Sequence, residues 1–126
     1  MKEILADTSV IIDYLEDNTS KEADDWLESR PVIISIVTYY EVCRFFLQIG
    51  KPKEMEEVKN RLKNFEIKGL TMEICEEAAR ISNSNRFSIA DSVICATAKV
   101  QGVRLLTSDS DLKGMKDVVF LHPKKI

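Results

Sequence analysis

Residues 4–15 read Ile4-Leu5-Ala6-Asp7-Thr8-Ser9-Val10-Ile11-Ile12-Asp13-Tyr14-Leu15, and this stretch decides the fold. A short apolar run ends at an acid, two hydroxyl residues follow, and apolar residues then recur at helical spacing. The pattern predicts a buried strand, a turn and a helix in direct succession. Such a unit is typical of a parallel sheet that is covered by helices.

The rest of the chain repeats this alternation. Further apolar or β-branched runs predict strands at 32–36, 66–70, 103–106 and 118–121. Apolar residues at helical spacing predict helices at 23–27, 38–50, 53–65, 71–81 and 88–101, with a polar loop at 82–85. The helix that begins at Ser88 is apolar on more than one side, so we expect it in the interior. The fold class is therefore α/β with a largely parallel sheet.

Length and composition describe one globular domain. The chain has 126 residues, of which 44% are hydrophobic and 31% are charged, so we expect residues 1–126 to form a single domain. The longest apolar runs are too short to span a bilayer, and the N-terminus lacks the pattern of a signal peptide. We therefore expect a cytoplasmic protein without a membrane partner.

Charge, cysteine and histidine usage exclude several kinds of site. The net charge of −3 gives no bulk attraction for nucleic acid, and the six bases and four acids of residues 51–68 predict a solvated helix face rather than a binding patch. Three cysteines without C-x-x-C spacing predict reduced, buried packing residues. The single histidine, His122, leaves no partner for a histidine-rich zinc site, and we assign it a surface or strand-end role.

Four acids stand where an open α/β fold builds its site. Asp7 and Asp109 follow apolar runs, whereas Glu41 and Asp91 lie near the starts of apolar helices. Those places share one edge of a parallel sheet. Carboxylates that meet there repel one another unless a cation neutralises them, and Mg²⁺ or Mn²⁺ suits an all-oxygen site. Such an ion favours phosphodiester hydrolysis.

Helix capping is the alternative for each acid taken alone. Asp7 is placed to cap a helix, and three pairs fit the spacing of a capping box. These pairs are Thr38-x-x-Glu41, Ser88-x-x-Asp91 and Ser108-x-x-Asp111. Capping explains acids at helix starts, but it does not explain why separate strands and an interior helix supply them at one edge.

The motifs that carry these acids are LADTSVIID (5–13), SIVTYYEV (35–42), SIADSVICATA (88–98) and LLTSDSDL (105–112). In order and spacing they resemble the motifs of the PIN-domain ribonucleases, most closely the toxin subunit of VapBC toxin-antitoxin pairs. The resemblance implies a three-layer α/β/α sandwich and Mg²⁺- or Mn²⁺-dependent cleavage of RNA that leaves a 5′-phosphate. It also implies a homodimer and a cognate antitoxin whose C-terminal segment lies across the site.

The resemblance assigns roles to individual residues. The family's acidic quartet, which is both catalytic and metal-binding, falls on Asp7, Glu41, Asp91 and Asp109. Thr107 matches a hydroxyl that helps to order the site, Asp111 is placed to assist through a water, and Ser9 matches a commonly polar position. Leu112 stands where the family often has Phe, and Cys95 where it often has Ala. Neither departure removes a ligand, so we expect an intact site.

Two alternatives come from other functional classes. A PIN-like domain that has lost cleavage would be a scaffold that binds RNA or protein, and the presence of all four acids argues against it. A phosphotransfer protein with Asp7 as nucleophile would need a second acid beside Asp7 and a lysine after a late strand. Neither Asp7-Thr8-Ser9 nor Ser108-Asp109 supplies these clearly.

Overall fold

The computed structural model describes residues 2–122, and at its centre is a five-stranded parallel sheet. Its strands are β1 (Ile4–Ala6), β2 (Val32–Ser35), β3 (Glu66–Lys68), β4 (Arg104–Thr107) and β5 (Val118–Phe120). Their order is β3-β2-β1-β4-β5, and every neighbouring pair is parallel. The predicted parallel sheet is confirmed, including the short strand within residues 66–70. The strand order reverses between β1 and β4, which is where open α/β sheets form a crevice.

Helices fill the connections between these strands. They are α1 (Thr8–Leu15), α2 (Lys21–Glu28), α3 (Ile36–Gln48), α4 (Met55–Leu62), α5 (Met72–Ser84) and α6 (Ile89–Gln101). Short 3₁₀ turns lie at Pro52–Glu54 and Ser110–Leu112. The helix α6 begins after the Ser88 cap and ends at Gly102, whose φ of 68° suits a residue without a Cβ. Within residues 2–122, none of the helices has both the length and the apolar composition that crossing a membrane requires.

The helices form two layers because strand side chains alternate between the two faces of the sheet. On one face Ile4, Ala6 and Leu106 belong to a core that α1 to α4 complete with Val10, Leu27, Phe46 and Leu62. On the other face Leu5, Ile33 and Leu105 pack with Ile74 and Ile94 of α5 and α6. The seven residues from Ser92 to Ala98 are all buried, so α6 is the interior helix that its sequence predicts. The three-layer α/β/α sandwich is confirmed.

Several predicted helix ends differ from the observed ones by two or three residues, and two of the differences have an identifiable cause. The helix α3 starts at Ile36 rather than at Thr38, because the Ser35 hydroxyl accepts the backbone N–H of Val37 at 3.1 Å and caps it two residues earlier. The helix α5 continues to Ser84 through most of the predicted loop. Its last turn is held by the Asn85 side chain, which donates to the Ile81 carbonyl at 3.0 Å.

The cysteines differ from the prediction of three buried residues. All three are free thiols, but Cys95 is buried, Cys43 is half-buried and Cys75 is exposed. A helical position among apolar neighbours is therefore not enough to predict burial when the helix has one face in water. His122 is exposed, as expected, and its ring lies edge-on to Phe120 with centroids 5.3 Å apart.

The basic segment at 51–68 is the solvated surface that its composition predicts. Lys59 pairs with Glu56 at 3.1 Å, and Lys68 pairs with Glu66 at 2.8 Å. Arg61 instead donates to the Leu15 carbonyl at 3.2 Å, which connects α4 to the end of α1. These contacts give Lys59, Lys68 and Arg61 partners within the protein, so the basic composition of the segment does not require a nucleic-acid partner.

Candidate active site

The predicted site residues on β1 and β4 meet at the carboxyl ends of these two strands. Asp7 directly follows β1, Thr107 is the last residue of β4, and Asp109 comes two residues later. The two strands are neighbours in register, with Ala6 opposite Leu106. These three side chains therefore stand at one edge of the sheet, as predicted for the acids, and the structure adds that the strand order reverses at this point.

Asp7 is the most buried acid of the site, with 4% of its surface exposed. Its Oδ1 accepts from the Ser9 hydroxyl at 2.7 Å and from the Val10 backbone N–H at 3.2 Å, and its Oδ2 accepts from the Thr107 hydroxyl. Burial raises the pKa of Asp7, these hydrogen bonds offset part of the rise, and the charge of Asp109 adds to it. Asp7 thus caps α1, but a cap does not require the contact with β4.

Asp109 is held by the backbone around it. Its own N–H donates to Oγ1 of Thr107 at 3.0 Å, and its Oδ1 accepts the N–H of the exposed Asp111 at 2.9 Å. The cap of this 3₁₀ turn is therefore Asp109, and the capping box predicted from Ser108 to Asp111 was wrong. Ser108 instead lies against Ser9, with 3.1 Å between the two hydroxyl oxygens.

Glu41 reaches the site from the second turn of α3. The Thr8 hydroxyl donates to its Oε1 at 2.6 Å, and Oγ1 of Thr8 lies 3.0 Å from Oγ1 of Thr38. Thr38 has no exposed surface and lies inside α3, so the capping box predicted from Thr38 to Glu41 was also wrong. The side chain of Glu41 is directed toward α1 rather than toward the start of its own helix.

Asp91 is half-buried in the first turn of α6. Burial raises its pKa most, and the negative charges of Asp109, Glu41 and Asp111 raise it further, while a hydrogen bond with Ser88 partly offsets the rise. The helix cap itself uses the backbone of Asp91, whose N–H donates to the Ser88 hydroxyl at 3.1 Å. The carboxylate therefore interacts with the Ser88 hydroxyl as well as with the other acids.

Cys95 lies one turn further along α6, and the charges of the same acids affect the pKa of its thiol. Burial, followed by the charges of Asp91, Asp7 and Asp109, raises the pKa of its thiol to about 12. The thiol therefore stays protonated at neutral pH and packs as an apolar side chain.

The four acids form one electrostatic cluster, because Asp7 interacts with Asp109, and Asp91 interacts with both Asp109 and Glu41. Within residues 2–122, however, no three acidic, histidine or cysteine side chains are arranged so that they could hold one metal ion. The donors are all carboxylate oxygens, the set that Mg²⁺ and Mn²⁺ prefer. The residues fit such an ion by chemistry and by charge, and their role as ligands stays a prediction.

Sequence reasoning missed three hydroxyl residues of the site, namely Thr8, Thr38 and Ser108. The signal for Thr8 and Ser108 was adjacency, since each neighbours a predicted site residue. The signal for Thr38 was its place three residues before Glu41, which puts both side chains on one helix face. In the sequence that spacing fits a helix cap. Because α3 starts two residues earlier, at Ile36, Thr38 and Glu41 both lie within the helix.

Two of three comparisons with known proteins found relatives of this chain. A family model for the PIN domain matches residues 4–118, whereas the comparison with curated proteins gave no match. A toxin-antitoxin complex from Klebsiella pneumoniae is 26% identical, with 98% of this chain and 99% of that chain covered and a TM-score of 0.78.

Two more distant structures share the fold. VapBC2 from Rickettsia felis, bound to a DNA fragment from its promoter, has a TM-score of 0.80 at 12% identity, covering 95% of this chain and 98% of that chain. The sarcin–ricin loop cleaving toxin VapC20 of Mycobacterium tuberculosis has a TM-score of 0.73 at 18% identity, covering 95% and 99%. At these identities the likeness concerns the fold alone.

Proposed function

This chain belongs to the PIN domain family, and on that premise we propose that it is a metal-dependent endoribonuclease, the toxin of a toxin-antitoxin pair. The observation that carries the proposal is the cluster of four carboxylates at the reversal of strand order, with one of them, Asp7, buried. The relative from Klebsiella pneumoniae, at 26% identity, is a toxin-antitoxin complex, and this supports the assignment to a toxin-antitoxin pair.

The proposed ligands of Mg²⁺ or Mn²⁺ are Asp7, Glu41, Asp91 and Asp109. When bound, such an ion lowers the pKa of a water and neutralises charge that develops at phosphorus. The chain contributes one buried acid, Asp7, and three partly buried acids whose charges repel one another, and a cation at the site would relieve both the burial and the repulsion. Thr107 and Ser9 hold the carboxylate of Asp7 by hydrogen bonds. To the exposed Asp111 we assign a supporting role through a water.

The proposed partners are the RNA substrate, a second copy of this chain and a cognate antitoxin. The support for the antitoxin is the relative from Klebsiella pneumoniae, which is a toxin-antitoxin complex. We further propose one PIN domain over residues 1–126, in keeping with the match at 4–118, and a place in the cytoplasm.

The proposal is tested by incubating the purified chain with a mixture of structured RNAs and Mn²⁺. We expect cleavage that leaves 5′-phosphate ends and stops when a chelator removes the metal. Asp7→Asn and Asp91→Asn should stay folded and lose cleavage, because each removes a charge with little change of shape. Asp25→Asn on the exposed side of α2 is the matched control and should cleave like the wild type. Retained cleavage by either site variant would overturn the assignment.

The scaffold alternative predicts a different result in the same experiment. A chain that binds RNA, yet gives no metal-dependent cleavage with any RNA of the mixture, would be a binding module. Its affinity for RNA would then be unchanged by Asp91→Asn, since no catalytic metal would be involved.

A further inference from the structure

A short chain of hydroxyl groups joins α1 to Glu41. Oγ1 of Thr38 lies 3.0 Å from Oγ1 of Thr8, and Thr8 in turn donates to Oε1 of Glu41 at 2.6 Å. Thr8 and Glu41 are 33 residues apart in sequence and lie on different helices. Thr8 is also the residue directly after Asp7, so the chain joins the neighbourhoods of two acids.

The number of protons fixes the direction of this chain. A threonine hydroxyl has one proton, and the carboxylate of Glu41 can only accept. Thr8 gives its proton to Glu41, so in its contact with Thr38 it must accept, and the buried Thr38 must donate. Thr38 therefore donates to Thr8, Thr8 donates to Glu41, and each hydrogen bond polarises the next.

Glu41 depends on this contact more than the other acids depend on theirs. Asp7 has three donors of its own, and Asp109 is held through its backbone and through Asp111. Thr8 is the hydrogen-bond donor that the described residues offer to the Glu41 carboxylate. The glutamate side chain has several rotatable bonds, so without this donor it would sample more positions. Thr8 is β-branched, and its hydroxyl is correspondingly well oriented.

We propose that Thr8, oriented by Thr38, is a positioning residue that holds the Glu41 carboxylate at the acidic cluster for metal binding. The inference rests on the proposed function, because it assigns Glu41 to a metal site. The alternative is a purely structural role, in which Thr8 only connects α1 to α3 and contributes to stability. The two differ in what they predict for metal affinity.

The test measures Mn²⁺ affinity by calorimetry, alongside thermal unfolding without metal. Thr8→Val keeps the shape of the side chain and removes the hydroxyl, whereas Thr8→Ser keeps the hydroxyl. Loss of a contact that orients a ligand weakens metal binding by about 10- to 100-fold, and we expect a loss of this size for Thr8→Val. Thr8→Ser should retain affinity close to the wild type. Thr38→Val should weaken binding in the same direction and by less.

A double-mutant cycle with Glu41→Ala separates positioning from general destabilisation. If Thr8 acts through Glu41, Thr8→Val has little further effect on Mn²⁺ affinity once the carboxylate is gone. If Thr8 acts independently of Glu41, the two losses multiply and the inference is overturned. Circular dichroism confirms that each variant is folded, and Thr8→Ser and Thr38→Val keep the test valid if Thr8→Val does not fold.

The results distinguish this inference from the proposed function. A wild type that binds Mn²⁺ and cleaves RNA, with Thr8→Val of equal affinity, overturns the positioning role alone. A wild type that neither binds Mn²⁺ nor cleaves RNA overturns the proposed function, and the positioning role with it.

Discussion

The hydroxyl of Thr107 donates to Oδ2 of Asp7, which is 100 residues earlier in the chain. Oγ1 of Thr107 also accepts the backbone N–H of Asp109 at 3.0 Å. One fully buried side chain thus connects the end of β4 to the acid that follows β1 and to the acid that follows β4 itself. This single hydroxyl therefore contacts both the Asp7 carboxylate and the backbone of Asp109, and it helps to fix their relative positions.

Thr107→Val should therefore destabilise the protein. The substitution keeps the shape of the side chain but leaves the buried carboxylate of Asp7 without one donor, which costs about 1–3 kcal/mol. We expect the free energy of unfolding, measured in urea without metal, to fall by that amount. Thr107→Ser retains the hydroxyl and should lose much less. Equal stability of the valine variant and the wild type would show that the contact with Asp7 contributes nothing.

The pKa values of Asp7 and Asp91 predict how stability changes with pH. Both pKa values are raised in the folded protein above the ordinary value of 3.8. At a pH between 3.8 and the raised pKa values, the folded state therefore binds more protons than the unfolded state. Stability then increases as the pH falls from neutral through the raised pKa values, and the gain is complete near 3.8. We expect the metal-free protein to have a larger free energy of unfolding at about pH 5 than at pH 7.

Asp7→Asn is the control for this pH dependence. The amide cannot be charged, so the part of the gain that comes from Asp7 should disappear and the dependence should flatten. The measurement stays above about pH 5, because acids with lowered pKa values such as Glu77 lose their contribution at lower pH. A wild type that becomes steadily less stable from pH 7 to about pH 5 would contradict the predicted sign.

Asp91→Asn and Ser88→Ala separate the site from the helix cap. Ser88 caps α6 through the backbone N–H of Asp91, so Ser88→Ala should cost about 0.5–2 kcal/mol of unfolding free energy. Asp91→Asn retains that N–H and removes the repulsion by Asp109 and Glu41, so the metal-free variant should be more stable than the wild type.

Mn²⁺ should act oppositely to the metal-free order of stability, in which Asp91→Asn is more stable than Ser88→Ala. A ligand that binds the folded state raises its apparent stability, so we expect Mn²⁺ to raise the Tm of the wild type and of Ser88→Ala. We expect little or no rise for Asp91→Asn. If Asp91→Asn is destabilised without metal and responds to Mn²⁺ like the wild type, Asp91 is not part of the site.

The architecture could be predicted from the sequence because its signals are local. Apolar runs, caps and glycines each act within a few residues, and the strand–helix alternation leaves few ways to arrange a parallel sheet. The error at the start of α3 occurred because two residues compete for one role. Ser35 and Thr38 are both good caps, and only the end of β2 decides that Ser35 is used.

The contacts of the site depend on long-range geometry and were less predictable. The shared edge of the four acids followed from their places after apolar runs and near helix starts, but the contact between Thr107 and Asp7 required the register of β1 against β4. The contact of Thr8 with Glu41 required the packing of α1 against α3. No pattern within one segment contains this information, so the hydroxyl residues Thr8 and Thr38 were missed.

Glu77 should stabilise the fold without contributing to the site. Its side chain, 11% exposed, accepts from Lys99 at 2.5 Å and from Arg80 at 2.9 Å and thereby connects α5 to the last turns of α6. The hydrogen bond from Lys99, followed by that from Arg80, lowers the pKa of Glu77 below its ordinary value of 4.5. Its contribution is therefore present above about pH 4.5 and is lost as the pH falls through the lowered pKa.

Glu77→Gln removes this charge, so we expect a lower free energy of unfolding at neutral pH and a smaller difference from the wild type at high salt. Lys99→Met combined with Glu77→Gln should be less harmful than the sum of the two single changes, since both remove one interaction. Mn²⁺ affinity should stay at the wild-type value, because Glu77 is not a member of the acidic cluster. Unchanged stability of Glu77→Gln, or a weakened response to Mn²⁺, would show that the structural contact and the metal site are not separable in this way.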